Sequence, residues 1–130
     1  MENRNYEPLP EATAKEFTRK LADSIKHLHA SNFIHRDIKP ENVLLFDVTA
    51  VKTPVLADFG MAKYMPKEKT VTDVCGTKGY MAPEILAGDD YSLPVDIWAF
   101  GTLLYLLVFC KFPFPVPKGD LTDKNIDQYY

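Results

Sequence analysis

A chain of 130 residues is one domain's worth at most, and a hydrophobic fraction of 46% is enough for a real core, which excludes an intrinsically disordered segment. A net charge of -3 gives no reason to expect nucleic acid or an anionic membrane as partner. The two cysteines, Cys75 and Cys110, lack metal-ligand spacing, and the polar start Met1-Glu2-Asn3-Arg4 is no secretory address. Reduced thiols in an intracellular, cytoplasmic protein are therefore expected, with the nucleus also open.

Residues 1–10 are polar and proline-bearing, as in a loop. Pro10 can occupy the first turn of a helix, and Glu11 suits the positive end of its dipole. Phe17, Leu21, Ile25 and Leu28 then mark one apolar face, which predicts an amphipathic helix over 10–30. Ser31-Asn32 ends it, because Asn tolerates the left-handed conformation of a helix stop. Phe33-Ile34 reads as a short extended piece. Val43–Phe46 and Val55–Ala57 read as strands, with 47–54 as the hairpin-like connection between them. Residues 58–80 carry three glycines and several lysines and read as a long functional loop. Residues 82–86 predict a short helix opened by Pro83, and 96–110 predict the most apolar helix of the chain. Its 14-residue apolar run, Ile97–Cys110, is short for a bilayer and suits a buried core helix. The prolines that follow stop it, and 118–130 are polar.

The chemistry concentrates in His35-Arg36-Asp37-Ile38-Lys39-Pro40-Glu41-Asn42. Asp37, Lys39 and Asn42 stand at offsets of zero, two and five. A carboxylate there can accept a hydroxyl proton, an ammonium can stabilise a transferring phosphate, and an amide oxygen can ligate Mg²⁺. A single such residue would suit a solvated polar turn; the ordered set does not.

This string resembles the H-R-D-x-x-x-x-N catalytic loop of eukaryotic protein kinases. Asp58-Phe59-Gly60 resembles the family's D-F-G, Ala82-Pro83-Glu84 its A-P-E, and Asp96-Ile97-Trp98-Ala99-Phe100-Gly101 the D-x-W-x-x-G of its central hydrophobic helix. The motifs run in family order over about residues 8–116. The resemblance implies a fold that is mainly α with short β hairpins: the C-terminal lobe of a kinase domain, without the N-lobe or the last C-lobe helices. The catalytic loop would be 35–42, the activation segment 58–84 and the central helix 96–110, within one partial domain over 1–130.

Roles follow position by position as implications of that resemblance. Asp37 would orient a substrate hydroxyl and take its proton, with Lys39 beside the γ-phosphate of ATP. Asn42 and Asp58 would hold Mg²⁺. Lys39, Glu41, Asn42, Leu44 and Asp58 would surround the nucleotide, with Leu44 under the adenine. His35 and Phe59 would belong to the packed column that aligns the lobes, Asp96 would anchor the catalytic-loop backbone, and Glu84 would pair with an arginine of a later segment. Lys39 with Thr77 is the serine/threonine pattern, so protein substrates with Ser or Thr are implied. The 75–84 stretch is similar to calmodulin-dependent-type kinases. In related kinases an arginine at position 36 pairs with a phosphothreonine where this chain has Asp73. Asp73 is thus expected to substitute in part for phosphorylation. The alternative is that Thr72 or Thr70 is the phosphosite.

Other groups have plainer explanations. His27 and His29 suit a solvated helix end better than a metal pair, and Trp98, Phe100 and Tyr105 suit a core. Lys67–Lys69 suits a solvated loop. No G-x-G-x-x-G precedes His35, and only 34 residues lie before it. The sequence is therefore expected to be an excerpt of an active serine/threonine kinase, the alternative being a non-catalytic kinase-like binding module. The 130 residues alone are expected to bind ATP weakly or not at all.

Overall fold

A computed structural model describes residues 8–47 and 52–116. The expected polar loop at 1–7, the tip of the hairpin at 48–51 and the polar end at 118–130 lie outside the described residues. Three helices carry most of the regular structure: α1 (Glu11–Ala30), α2 (Pro83–Ala87) and α3 (Pro94–Phe109). Two antiparallel ribbons accompany them. One pairs β1 (Phe33–Ile34) with β4 (Lys63–Tyr64), and the other pairs β2 (Val43–Asp47) with β3 (Lys52–Leu56).

Four expected boundaries move. Pro10 does not sit in the first turn of α1. Its ψ of 142° is extended, and it acts as the residue before the helix, its carbonyl accepting Ala14 N–H at 2.9 Å. The central helix begins at Pro94 rather than 96, because a proline's fixed φ suits a first turn. It ends at Phe109, since Cys110 turns left-handed with φ of 52°. The 47–54 connection is shorter than expected, for β3 starts at Lys52 and includes Pro54. Both strands of a two-stranded ribbon are edges, where a residue lacking an N–H is tolerated. Nor is 58–80 all loop: Lys63–Tyr64 pairs with β1, and Val71 bridges Tyr91.

Two apolar clusters hold the chain together. In the first, Leu21 and Ile25 of α1 meet Ala99 and Leu103 of α3, with Ile38, Leu56 and Tyr80 completing it. The second gathers Ile34, Met65, Met81, Ala82, Ile85, Leu86, Tyr91 and Val95. Ile34 and Ile38 are both fully buried, one in each cluster. Burying such a side chain is worth about 1.5–3 kcal/mol. The three residues between them, His35-Arg36-Asp37, are therefore held at both ends by core packing. The central helix is buried on one face only: Ala99, Thr102 and Leu103 are buried while Ile97 and Phe109 stay exposed. Among the described residues no helix is long and apolar enough to cross a membrane.

Candidate active site

The backbone at His35 and Arg36 is fixed from α3. Asp96, in the first turn of that helix, has no exposed surface. Its carboxylate accepts His35 N–H at 2.8 Å and Arg36 N–H at 2.9 Å. Arg36 is left-handed, with φ of 71°. A non-glycine residue adopts that conformation at a cost of about 1–2 kcal/mol, so the two charge-assisted bonds and the flanking isoleucines sustain it. The left-handed step turns Asp37 away from the line of β1.

The His35 ring is fixed by what surrounds it. A backbone N–H can only donate and a carbonyl can only accept. Nδ1 therefore accepts Asp37 N–H at 3.3 Å, and Nε2–H donates to Ala57 O at 3.1 Å. The ring meets Phe59 edge-on, with centroids 5.1 Å apart. Thus one buried side chain ties the Asp37 backbone to the residue before Asp58. Ala57 N–H also donates to Asn42 O at 2.8 Å, prolonging the β2–β3 ladder. These bonds bring the segment that carries Asp58 to the locality of Asp37 and Asn42.

Asp37 is the most heavily bonded of the expected residues. Thr77 Oγ1 donates to its Oδ1 at 2.6 Å. Lys39 Nζ lies 2.8 Å from Oδ2, and Asn42 Nδ2 donates to Oδ2 at 3.0 Å and to the Asp37 carbonyl at 2.8 Å. Lys39 also donates to Thr77 Oγ1 at 2.7 Å, closing a ring. Burial pushes the Asp37 carboxyl up, but the hydrogen bonds from Lys39, Thr77 and Asn42 and the charge of Lys39 outweigh it and hold the group below its ordinary value. It is ionised at neutral pH. A carboxylate offers about four acceptor positions. Thr77 takes one on Oδ1, while Lys39 and Asn42 engage Oδ2, so Oδ1 retains capacity for a further donor.

The oxygen set fits a magnesium nucleotide. Donation by Nδ2 to Asp37 leaves the Asn42 carbonyl end as the one available to a cation. Asp58 is exposed, with φ of 57°, and its Oδ1 accepts Gly60 N–H at 3.1 Å. Among the described residues no cluster of three or more His, Cys, Asp or Glu could cage a metal. Leu44 lies on β2 and is 47% exposed, and Glu41 is exposed as well.

A second charged cluster adjoins the first. Asp73 Oδ2 lies 2.8 Å from Lys63 Nζ and 3.1 Å from Arg36 NH1. Hydrogen bonds from Lys63 and then Arg36 hold the Asp73 carboxyl below its ordinary value. Arg36 also donates through Nε to Met61 O at 2.7 Å and through NH1 to Tyr91 Oη at 3.3 Å. Tyr91 donates its hydroxyl to Asp73 O at 2.6 Å. Burial, followed by Cys75 3.6 Å away, pushes that hydroxyl up to about 12, so it remains a donor. Thr70 Oγ1 donates to Asp90 Oδ2 at 3.0 Å, and Thr72 is exposed.

Some expectations need correction here. Glu84, in the first turn of α2, is half-buried beside an open groove, and no cation among the described residues pairs with it. His29 is no solvated helix end: its Nε2 lies 2.8 Å from buried Asp96 Oδ2. Lys63, Tyr91 and His29 carry no motif, and only the fold brings them to their partners.

Comparison with known proteins returns one family. The protein kinase domain family matches residues 2–130. The chain is 42% identical over 118 residues to Developmentally-regulated protein kinase 1 of Dictyostelium discoideum, covering 90% of this chain and 16% of that protein. It is 44% identical over 113 residues to Serine/threonine-protein kinase DCLK3 of Mus musculus, covering 85% and 14%. It is 40% identical over 112 residues to Calcium/calmodulin-dependent protein kinase type IV of Mus musculus, covering 85% and 24%. The chain spans less than a quarter of the length of each of these relatives.

Proposed function

The chain belongs to the protein kinase domain family, and from that membership we propose that its site transfers the γ-phosphoryl group of ATP to serine and threonine hydroxyls of protein substrates. The observation that carries this is the closed Asp37–Lys39–Thr77 ring, to which Asn42 adds a further bond to Asp37.

Asp37 offers a substrate hydroxyl its remaining acceptor position on Oδ1 and so aims the oxygen. With its acidity increased by Lys39, it is a weak base in the ground state. It accepts the proton late, when the attacking oxygen is already committed to phosphorus and its proton has become acidic. Lys39, close to both Asp37 and Thr77, presents positive charge where the transferring group would gain negative charge. Asn42 and Asp58 would hold Mg²⁺, which when bound neutralises the phosphate oxygens. Thr77 fixes Asp37 and Lys39 relative to each other and thereby favours a hydroxyl substrate of the serine/threonine class. Glu41 and Leu44 supply the flanks of the nucleotide position.

The Arg36–Asp73–Lys63 cluster belongs to the same proposal. Asp73 keeps the segment that carries Thr77 against the catalytic loop through charge, as a phosphate would with more charge and more acceptor oxygens. The reaction is tested by supplying the full-length natural protein with labelled ATP, Mg²⁺ and a mixed peptide substrate, then analysing the phosphoamino acids. Label on serine and threonine supports the proposal. Label on tyrosine alone, or none with an intact fold, refutes it.

A further inference from the structure

The stretch 70–73 is joined to Asp90 and Tyr91, just ahead of α3, by a seam of hydrogen bonds. Thr70 Oγ1 donates to Asp90 Oδ2 at 3.0 Å. Val71 and Tyr91 exchange both of their backbone bonds, at 3.0 and 2.9 Å. Tyr91 Oη reaches Asp73 O at 2.6 Å, and Arg36 NH1 meets Tyr91 Oη at 3.3 Å and Asp73 Oδ2 at 3.1 Å. Asp73 is therefore kept beside Arg36 by a seam whose first bond is made by the Thr70 hydroxyl.

Thr70 is exposed, as are Lys67, Glu68 and Lys69 before it. Lys69 N–H donates to Pro66 O at 3.1 Å and Glu68 has φ of 63°, so the chain turns there and leaves Thr70 at the surface. A carboxylate only accepts, so the bond to Asp90 needs the hydrogen on Thr70. A phosphoryl group would remove that hydrogen and set a charge of about -1.5 to -2 against Asp90, with Asp89 next in the chain. Lys67 and Lys69 are solvated, and exposed cations offset little of such repulsion. Charge at Asp73 holds the segment in place; charge at Thr70 would act with the opposite sign. We propose that Thr70 is a phosphorylation site whose modification opens the seam to Asp90 and Tyr91 and loosens Asp73 from Arg36. In that step Thr70 Oγ1 attacks the γ-phosphorus of Mg-ATP held by a serine/threonine kinase. The bond from that phosphorus to the β–γ bridging oxygen breaks, ADP leaves, and the hydroxyl proton passes to the base of that enzyme. The effect on activity rests on the phosphoryl-transfer proposal above; the site and its effect on the seam do not.

Two measurements on the full-length natural protein test this. Mass spectrometry of the protein isolated from its own cells, with phosphatases inhibited, should find phosphate on Thr70. Amide hydrogen exchange then compares the unmodified protein with one carrying phosphothreonine at position 70, introduced during translation. The phosphate should speed exchange at Val71 and Tyr91 by roughly tenfold or more, the scale on which losing a hydrogen bond to a charged group acts. The Leu103 amide, inside α3, should change much less. Asp90→Asn removes the facing charge and supplies a donor, so it should restore most of the protection in the phosphorylated protein. Peptide phosphorylation should fall severalfold alongside. Absence of activity in every form would refute the phosphoryl-transfer proposal and leave the exchange result to decide this one. An unmodified Thr70, unchanged exchange at Val71 and Tyr91, or equal acceleration at Leu103 would overturn it.

Discussion

Asp37 combines burial with three donors, and that combination makes its charge the sharpest residue-level lever on the site. Asp37→Asn keeps the shape but removes the acceptor charge. It should lower kcat of the full-length protein by about 10²- to 10⁴-fold, the usual contribution of a general base, with the KM for ATP little changed. Steady-state kinetics with a peptide substrate would show it. Asp73 is exposed, and its value lies in the segment it holds. Asp73→Asn should reduce basal activity severalfold. Unchanged basal activity that still requires phosphorylated Thr72 would assign the regulatory role to Thr72 instead. Residues grouped by short offsets, such as Asp37, Lys39 and Asn42, were legible in the sequence because their chemistry needs them close along the chain. His29, Lys63 and Tyr91 were not, since their partners lie 67, 10 and 55 positions away and nothing local records the pairing.

At the level of elements, α1 and α3 clamp the catalytic loop through Leu21, Ile25, Ile38 and Leu103. Leu103 has no exposed surface. Leu103→Ala should cost about 2–5 kcal/mol, measurable as a lower urea midpoint. The approach of the 75–79 segment to that loop is equally constrained. A Cβ on Gly76 would lie 2.8 Å from Arg36 O, and its φ of +117° is one side chains rarely adopt. Gly76→Ala should therefore destabilise the chain by about 1–3 kcal/mol, read from the same denaturation curves, and separate Thr77 from Asp37. The apolar face of α1 was legible from its spacing at 3.6 residues per turn. The limits of α3 were not, because Pro94 starts the helix two residues before the motif that marks it, and a left-handed Cys110 ends it. The β1–β4 pair is only two residues long on each side, too short for any periodic signal.

Across the whole molecule, the described chain is two small cores with a charged seam between them. Asp37 and Asp73 both have folded-state pKa values below their ordinary ones. Such groups stabilise the fold above the unfolded-state value, and that contribution is lost as pH falls through the lowered folded value. Stability should thus decline on acidification between about pH 5 and pH 2, and more shallowly in an Asp37→Asn, Asp73→Asn double variant. Urea midpoints collected against pH would show the difference in slope. Leu44, Leu45, Phe46, Val55 and Phe59 leave much of their surface exposed on the hairpin and the turn after it. That exposure was not legible in the sequence, where Leu44, Leu45, Phe46 and Val55 read as strand residues and Phe59 as a member of a packed column.

The proposed role of Asp37 and its ring of partners is serine/threonine phosphoryl transfer. The most direct measurement compares the full-length natural protein with its Asp37→Asn variant, both shown folded by circular dichroism, for Mg²⁺-dependent transfer of label from ATP to serine or threonine peptides. Transfer by the natural protein that falls by two or more orders of magnitude in the variant is the expected result, matching the contribution of a positioned acceptor. Equal transfer by both proteins, or none by either, would contradict it.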